Sequence, residues 1–187
     1  NVDLSYKLNE FVSSKISLSK TYNSLKYDDR IAFELLELPR YREGNYSGDR
    51  NLLVGQLIFN KDFDKIDLSA VTGFELSDDS YETIGASSVN GLTIPGFYSI
   101  GTSVDKPNYF SYKQVNKNRA GYLTTSLGYD DWGFIEGSFR RDWNSFASVN
   151  KNYVDTKSLS LSLILTHFIP KNDILSYFKL RGGIAQG

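Results

Sequence analysis

The segment that most restricts the fold of this chain is SLSLSLILTHF, residues 158–168. Leucine occupies every second position from Leu159 to Leu165, and serine occupies positions 158, 160 and 162. A period of two is that of a β-strand, whose side chains point alternately to opposite faces. The segment therefore predicts a strand with one strongly apolar face and one small polar face. The apolar face has to meet either a protein core or lipid.

Seven further segments alternate in a similar way, so the chain is predicted to be all-β. Its 13 tyrosines and 12 phenylalanines agree with this prediction, because strands favour aromatic side chains. Residues 51–60, NLLVGQLIFN, are apolar at both parities, and their two faces are not assigned. The eight predicted strands cover residues 1–7, 13–24, 51–60, 66–77, 120–130, 132–142, 157–168 and 176–186.

The connections between these strands alternate between short and long. The short links fall at 8–12, 61–65, 130–131 and 169–175, and the long links at 25–50, 78–119 and 143–156. Residues 31–38, IAFELLEL, are placed inside a long loop. Antiparallel up-and-down strands with tight turns at one end and long loops at the other are typical of outer-membrane barrels. Soluble β-sandwiches generally lack this difference between their two ends.

Aromatic residues lie within or beside the short links. Membrane barrels carry such residues as a girdle at the level of the lipid–water interface, although aromatic residues also flank turns in many soluble β proteins. Most predicted strands have about 10–12 residues, enough to cross a bilayer when tilted. We therefore expect the leucine face to meet lipid. The candidate interface residues are Phe11, Phe63, Tyr129, Trp132, Phe168, Tyr177 and Phe178.

Charged residues occupy the polar parity of several predicted strands. In a small barrel they would have to pair inside a packed core, whereas a wide barrel would place them in a wet or plugged lumen. This pattern favours the wide barrel. The candidate lumen-facing residues are Glu75, Glu136, Arg140, Asp142, Lys179 and Arg181.

Composition and motifs argue against several other classes of protein. The net charge is −1, so a basic nucleic-acid-binding face is not expected. There is no cysteine, and the single histidine, His167, has no neighbours at metal-ligand spacing. No phosphate-binding loop, nucleophile elbow or acid–base pair is recognisable. We expect no enzymatic activity, no metal and no cofactor.

Several stretches resemble the SusC/RagA-type TonB-dependent outer-membrane transporters. They are GFELSDDSYETIGAS at 73–87, NGLTIPGFYS at 90–99, GYLTTSLGYDDWGFIEGSFRRDWNS at 121–145 and FKLRGGIAQG at 178–187. Their order and spacing agree with the family over nearly the whole chain. The sequence departs from the family pattern at Asn144-Ser145, where Ser-Ser is usual, and at Gly182-Gly183-Ile184, where Ala-Ser-aromatic is usual.

The resemblance implies that residues 1–187 are a partial barrel domain, without the plug and the barrel ends, in a barrel of about 22 strands. It further implies location in the bacterial outer membrane and import of a glycan or peptide without covalent chemistry. The implied partners are the remaining barrel and plug segments, the TonB complex, a SusD-like surface lipoprotein and outer-membrane lipid. The absence of an initial methionine agrees with an internal piece or a removed leader.

The resemblance also gives the predicted loop 78–119 a role, because external loops of such transporters contact substrate or the lipoprotein. The same aromatic side chains would also be expected if they merely packed against one another. The candidate contact residues are Phe97, Tyr98, Tyr109, Phe110 and Tyr112.

Two other hypotheses remain open at this point. A free-standing eight-stranded outer-membrane barrel with a structural or adhesive role would require its two terminal strands to pair. A soluble carbohydrate-binding β-sandwich would require the leucine face to be buried against a second sheet.

Overall fold

The computed structural model of the chain describes residues 1–33, 37–147, 151–169 and 175–187. Eight strands form one sheet in the order β1-β2-β3-β4-β5-β6-β7-β8, each beside its neighbour in sequence. The prediction of an all-β, antiparallel up-and-down chain is confirmed. The strands are β1 Val2–Lys7, β2 Val12–Ile31, β3 Arg40–Phe63, β4 Ile66–Leu92, β5 Ser103–Tyr129, β6 Gly133–Asn144, β7 Tyr153–Ile164 and β8 Lys179–Gln186.

Four strands are much longer than the sequence alternation predicts. β2 to β5 have 20, 24, 27 and 27 residues, so most of the predicted long links 25–50 and 78–119 is strand. The prediction of long loops there is wrong, because strand pairing needs only backbone hydrogen bonds and continues where neither face is uniformly apolar. Ile31 ends β2, residues 32, 33, 37 and 38 are not strand, and residues 34–36 lie outside the described residues.

The end of the leucine strand also differs from the prediction. β7 stops at Ile164, and Leu165–His167 form a 3₁₀ turn in which the Phe168 amide donates to the Leu165 carbonyl at 3.0 Å. The Leu165 amide donates to the Phe178 carbonyl at 2.9 Å, and β8 begins at Lys179 rather than at residue 176. Residues 170–174 of the predicted short link lie outside the described residues.

The chain divides into two compact units. Unit 1 contains Asn1–Ser19, Leu52–Ser77 and Lys117–Gly187, and unit 2 contains Lys20–Asn51 and Asp78–Asn116. Unit 1 thus holds β1, β6, β7, β8 and one part of each long strand. Unit 2 holds the remaining parts of β2 to β5, together with the connections between β2 and β3 and between β4 and β5.

In unit 1 the strand register separates apolar from polar side chains. Leu161 pairs with Ile135 of β6, and Ile135 pairs with Leu127 of β5. One residue further along each strand, Ser160 pairs with Glu136. We call the face that carries Leu161 the apolar face and the face that carries Glu136 the polar face.

The described residues bury few apolar side chains. The buried ones are Tyr41, Ala86, Leu92 and Ala120, whereas Leu159 is 52% exposed and Ile184 is 76% exposed. A chain of this length normally covers its leucines and isoleucines with a second layer of structure. No helix in the described part of the chain is long and apolar enough to cross a membrane.

The short links close at one end of unit 1. The Asp130 amide donates to the Lys65 carbonyl at 2.7 Å, which joins the β5–β6 turn to the β3–β4 turn. Asp130 and Asp131 have φ values of 46° and 59°, and the Trp132 amide donates to the Tyr129 carbonyl at 3.1 Å. Two positive φ values in succession make a type I′ turn, which matches the twist of a two-stranded hairpin.

Candidate functional site

The polar face of unit 1 contains an ion-pair network centred on Arg140. Its Nε lies 2.9 Å from both carboxylate oxygens of Asp142, and its Nη2 lies 2.7 Å from Asp142 Oδ1. The same guanidinium donates from Nη1 to Glu75 Oε2 at 3.5 Å. Glu75 belongs to β4 and Arg140 to β6, so the contact passes over the intervening strand β5. Three of the six predicted lumen-facing residues are therefore in direct contact.

Two uncharged residues extend this network and are absent from the sequence prediction. Tyr122 of β5 lies beneath Arg140, whose guanidinium carbon is 5.8 Å from the ring centre. Gln56 Nε2 donates to the Tyr122 hydroxyl at 2.8 Å, which brings β3 into the same cluster. Gln56 stands in the segment that is apolar at both parities, so alternation gave no sign of its face. A Cβ atom at Gly55 would point to the ring of Phe74, whereas the Gln56 side chain contacts Tyr122, which lies on the polar face. The even positions of that segment therefore belong to the polar face.

The other three predicted lumen-facing residues line a separate hollow of about 450 Å³ over β6, β7 and β8. Glu136 accepts a hydrogen bond from Ser160 at 3.5 Å, and the Lys179 ammonium lies 5.6 Å from the ring centre of Phe134. Among the described residues Arg181 forms no ion pair. The polar face thus presents both signs of charge, and neither Lys179 nor Arg181 forms an ion pair with a described carboxylate.

Arg140→Met is expected to lower the free energy of unfolding of the complete protein by about 1–2 kcal/mol. Hydrogen bonds to charged groups are worth about 1.5–3 kcal/mol, and the partial exposure of these groups reduces that value. The measurement is a urea titration of the folded protein in detergent. Arg181→Met, on the same face but without an ion pair, is the matched control and is expected to change stability by less than about 0.5 kcal/mol. Equal effects of the two substitutions would contradict a stabilising role for the Glu75–Arg140–Asp142 network.

The predicted interface aromatics gather at the short-link end of unit 1. Trp132 packs edge-on against Tyr129 and Phe168, with ring centres 5.8 and 4.8 Å apart. Phe11 and Phe63 flank the Lys61 ammonium at 4.3 and 4.7 Å. Tyr177 and Phe178 follow in the link before β8 and are exposed. All seven residues therefore lie at the same end of unit 1, and their role at a membrane interface remains a prediction.

The five aromatic residues predicted for one long loop do not form a single site. Phe97 and Tyr98 do lie in the connection after β4, whereas Tyr109, Phe110 and Tyr112 lie on strand β5. Neighbouring residues of a strand point to opposite faces, which separates Tyr109 from Phe110. The prediction that these three are loop residues is wrong, because the polar segment 103–119 continues the pairing of β5.

Unit 2 contains a cluster of aromatic and charged residues, of which the sequence predicted Tyr98 and Tyr109 but not Arg30, Tyr41 and Glu43. The Arg30 guanidinium lies 5.9 Å from the ring centre of Tyr41 and 5.6 Å from that of Tyr98. The Tyr41 hydroxyl donates to Glu43 at 3.0 Å. A groove of about 590 Å³ runs beside Tyr41 and Glu43 and is also lined by Tyr109, which is 72% exposed. Aromatic rings beside charged groups provide stacking and ion-pair contacts for a polar ligand.

Within the described residues, no three histidine, aspartate or glutamate side chains lie close enough together to hold a metal ion. His167 stands beside Asp130, with Nε2 and Oδ2 3.9 Å apart, at the short-link end.

No family model and no curated protein matches this chain. Its fold is similar to that of several solved structures, including the following three. They are the RagAB peptide transporter (TM-score 0.76, 18% identity), the RagAB peptide importer in the closed-closed state (0.77, 19%) and the same importer in the open-open state (0.75, 19%). The alignments cover 97%, 97% and 95% of this chain but only 21%, 21% and 20% of those chains. The eight strands therefore have the fold of a barrel segment in a transporter about five times longer.

Proposed function

We propose that the chain is a wall segment of a SusC-type, TonB-dependent importer in the bacterial outer membrane. The observation that supports this most strongly is the bare apolar face of unit 1. Leu159 and Leu161 are 52% and 47% exposed, and all eight strands belong to one sheet, so no second sheet in the described part of the chain covers them. In water such a face would drive aggregation, whereas it is what a strand presents to lipid.

The strand order argues against a free-standing eight-stranded barrel. β1 and β8 are the first and last strands of the sheet, and their described residues are not paired with each other. A sheet edge in lipid leaves backbone amides and carbonyls without partners, which a bilayer does not tolerate. We therefore propose that further strands complete the barrel and that residues 1–187 are part of a larger barrel domain.

The same face argues against a soluble carbohydrate-binding sandwich. That architecture buries alternate residues of each strand between two sheets. Ile16 and Leu18 on β2 are 50% and 53% exposed, as the leucines of β7 are. The apolar side chains of both ends of the sheet thus lack the layer that a sandwich would supply.

The polar residues suggest how the segment contributes to import. The polar face, with the Arg140 network and the free cation Arg181, would line a lumen and contact a plug that responds to TonB. The groove beside Tyr41 and Tyr109 in unit 2 would contact the substrate or a surface lipoprotein of the SusD type. The similar solved structures are described as peptide transporters and importers, so we favour a peptide over a glycan as the substrate.

The intact mass of the purified protein in detergent tests this proposal. We expect the polypeptide that carries these residues, alone or with co-purifying chains, to be much larger than the 21.2 kDa of residues 1–187. A stable, monodisperse species of about 21 kDa would overturn the importer proposal and favour the small barrel. Mass spectrometry of the co-purifying chains identifies the missing barrel segments and any lipoprotein partner.

A further inference from the structure

The apolar face of unit 1 has a charged margin at the end remote from the short links. Residues that pair across β5, β6 and β7 form rows, and at this end the rows contain charged and aromatic as well as apolar side chains. The three rows at this margin are Leu123–Phe139–Lys157, then Gly121–Arg141–Asp155, then Arg119–Trp143–Tyr153. With Lys117, two positions before Arg119, the margin contains four basic side chains and one carboxylate.

The position of this margin matches the edge of a bilayer. From Tyr129, at the short-link end of β5, to Arg119 is ten residues, or about 34 Å along an extended strand. At the usual tilt of barrel strands this corresponds to a rise of about 25 Å, the height of the apolar band in outer-membrane barrels. Trp143 and Tyr153 thus mark a second aromatic level, opposite the one formed around Trp132.

Two of the four cations at the margin already have partners. Arg141 forms a bidentate ion pair with Asp155, at 2.6 and 2.8 Å, and its guanidinium carbon lies 4.4 Å from the ring centre of Tyr153. The Lys157 ammonium lies 5.9 Å from the ring centre of Phe139. By contrast, Lys117 and Arg119 form no ion pair with any carboxylate in the described ranges.

These two unpaired cations line a groove of about 690 Å³ whose other walls are of two kinds. Phe74 and Leu76 continue the apolar face, and Trp143 closes the groove on the side of β6. Polar groups of the β6–β7 connection, including Ser145 and Asn152, border its far end. The groove therefore offers apolar surface toward the band, and cations with hydrogen-bonding groups away from it.

We propose that this groove binds the phosphorylated headgroup of an outer-leaflet lipid. Lys117 and Arg119 would contact the phosphate oxygens, and the acyl chains would lie along Phe74 and Leu76. An anionic lipid matches both features of the groove. A zwitterionic lipid would bring its own cation close to the two basic side chains, an uncharged lipid would leave them unpaired, and a soluble anion would leave the apolar floor bare. The inference rests on the proposed function, since it requires the apolar face to meet lipid.

The test compares lipid retention by the complete protein and two paired variants. The protein is reconstituted in phosphatidylcholine nanodiscs that contain a minor fraction of diphosphoryl lipid A, and bound lipid A is counted by native mass spectrometry. Lys117→Gln/Arg119→Gln is expected to lower lipid A binding about twenty-five-fold, because each cation near a charged bilayer contributes about a five-fold factor. Lys179→Gln/Arg181→Gln removes the same two charges at the same spacing from the polar face and is expected to leave lipid retention unchanged.

The outcomes separate this proposal from the one on which it rests. If the groove variant inserts normally but retains lipid A as the wild type does, the headgroup site is wrong and the importer segment stands. If the wild type does not insert into the nanodisc, both proposals fail. Inorganic phosphate at millimolar concentration is expected not to displace lipid A. Displacement by phosphate would overturn the lipid assignment and identify the groove as a site for a free anion.

Discussion

Leu161→Arg is expected to destabilise the membrane-inserted protein by about 2–4 kcal/mol, the cost of an arginine on the lipid face near the middle of a bilayer. Leu161 lies in the middle of β7, between Ile135 of β6 and Gly182 of β8, and 47% of its surface is exposed. The new guanidinium would have to displace lipid contacts, because Asp155, the carboxylate at the margin of that face, lies six positions away along β7 and is already paired with Arg141. A urea titration of the complete protein folded into phospholipid vesicles, followed by tryptophan fluorescence, measures the change.

Ser160→Arg is the matched control, because it introduces the same side chain one residue away on the other face. Ser160 hydrogen-bonds to Glu136 at 3.5 Å, so the new cation would stand beside a carboxylate. We expect this substitution to change stability by less than about 1 kcal/mol. If Ser160→Arg were the more destabilising of the two, the polar face rather than the leucine face would be the one that meets lipid.

The sequence predicts most of unit 1 well because its strands, apart from residues 51–60 of β3, have one apolar and one polar side. For β6 the predicted range 132–142 differs little from Gly133–Asn144, and β4 is predicted to start at Ile66, where it does start. In both strands the alternation of apolar and polar residues covers the part whose apolar side chains belong to the exposed apolar face. Where one face of a strand meets lipid or a protein core, apolar residues are required at every second position, and this alternation is visible in the sequence.

Unit 2 could not be predicted in the same way. Its part of β2, KTYNSLKYDDRI, and its part of β5 have charged and aromatic residues on both parities. Nothing in such a segment distinguishes a solvated strand from a solvated loop. The strands persist because neighbouring backbones satisfy each other's hydrogen bonds, and this cooperation between distant segments leaves no local pattern in the sequence.

Alternation along the strands also identified six charged residues of the polar face, but not the residues that they contact. Arg140 and Asp142 are two residues apart on one strand, so their common face follows from alternation alone. The contact of Arg140 with Glu75 joins residues 65 positions apart across an intervening strand, and it depends on the register of β4, β5 and β6. The contacts of Tyr122 with Arg140 and of Gln56 with Tyr122 likewise depend on the register of neighbouring strands. Which charges pair is thus set by register, whereas which charges share a face is set by sequence.

The close approach of β3 and β4 at Gly73 predicts that a larger residue at this position destabilises the protein. A Cβ atom built on Gly73 would lie 2.5 Å from the Gly55 carbonyl oxygen and 2.7 Å from the Tyr122 hydroxyl. Gly73→Ala is therefore expected to lower the free energy of unfolding by about 1–3 kcal/mol. The Gly55 carbonyl belongs to the backbone of the neighbouring strand, so no side-chain rotation relieves the overlap. The measurement is the urea midpoint of the complete protein in detergent.

Gly182→Ala provides the matched control, because nothing lies within 4 Å of a Cβ atom at that position. Both substitutions reduce the conformational freedom of the unfolded chain equally, which by itself would stabilise the protein by about 0.4–1 kcal/mol. Gly182→Ala should show that gain, and Gly73→Ala should not, so their difference isolates the contact between strands. Adding Tyr122→Phe removes the hydroxyl but leaves both the Gly55 carbonyl and the Tyr122 ring carbon Cζ, 2.8 Å from that Cβ atom, in place, so only partial recovery is expected. Full recovery would show that the hydroxyl, and not the approach of the two backbones, requires glycine at position 73.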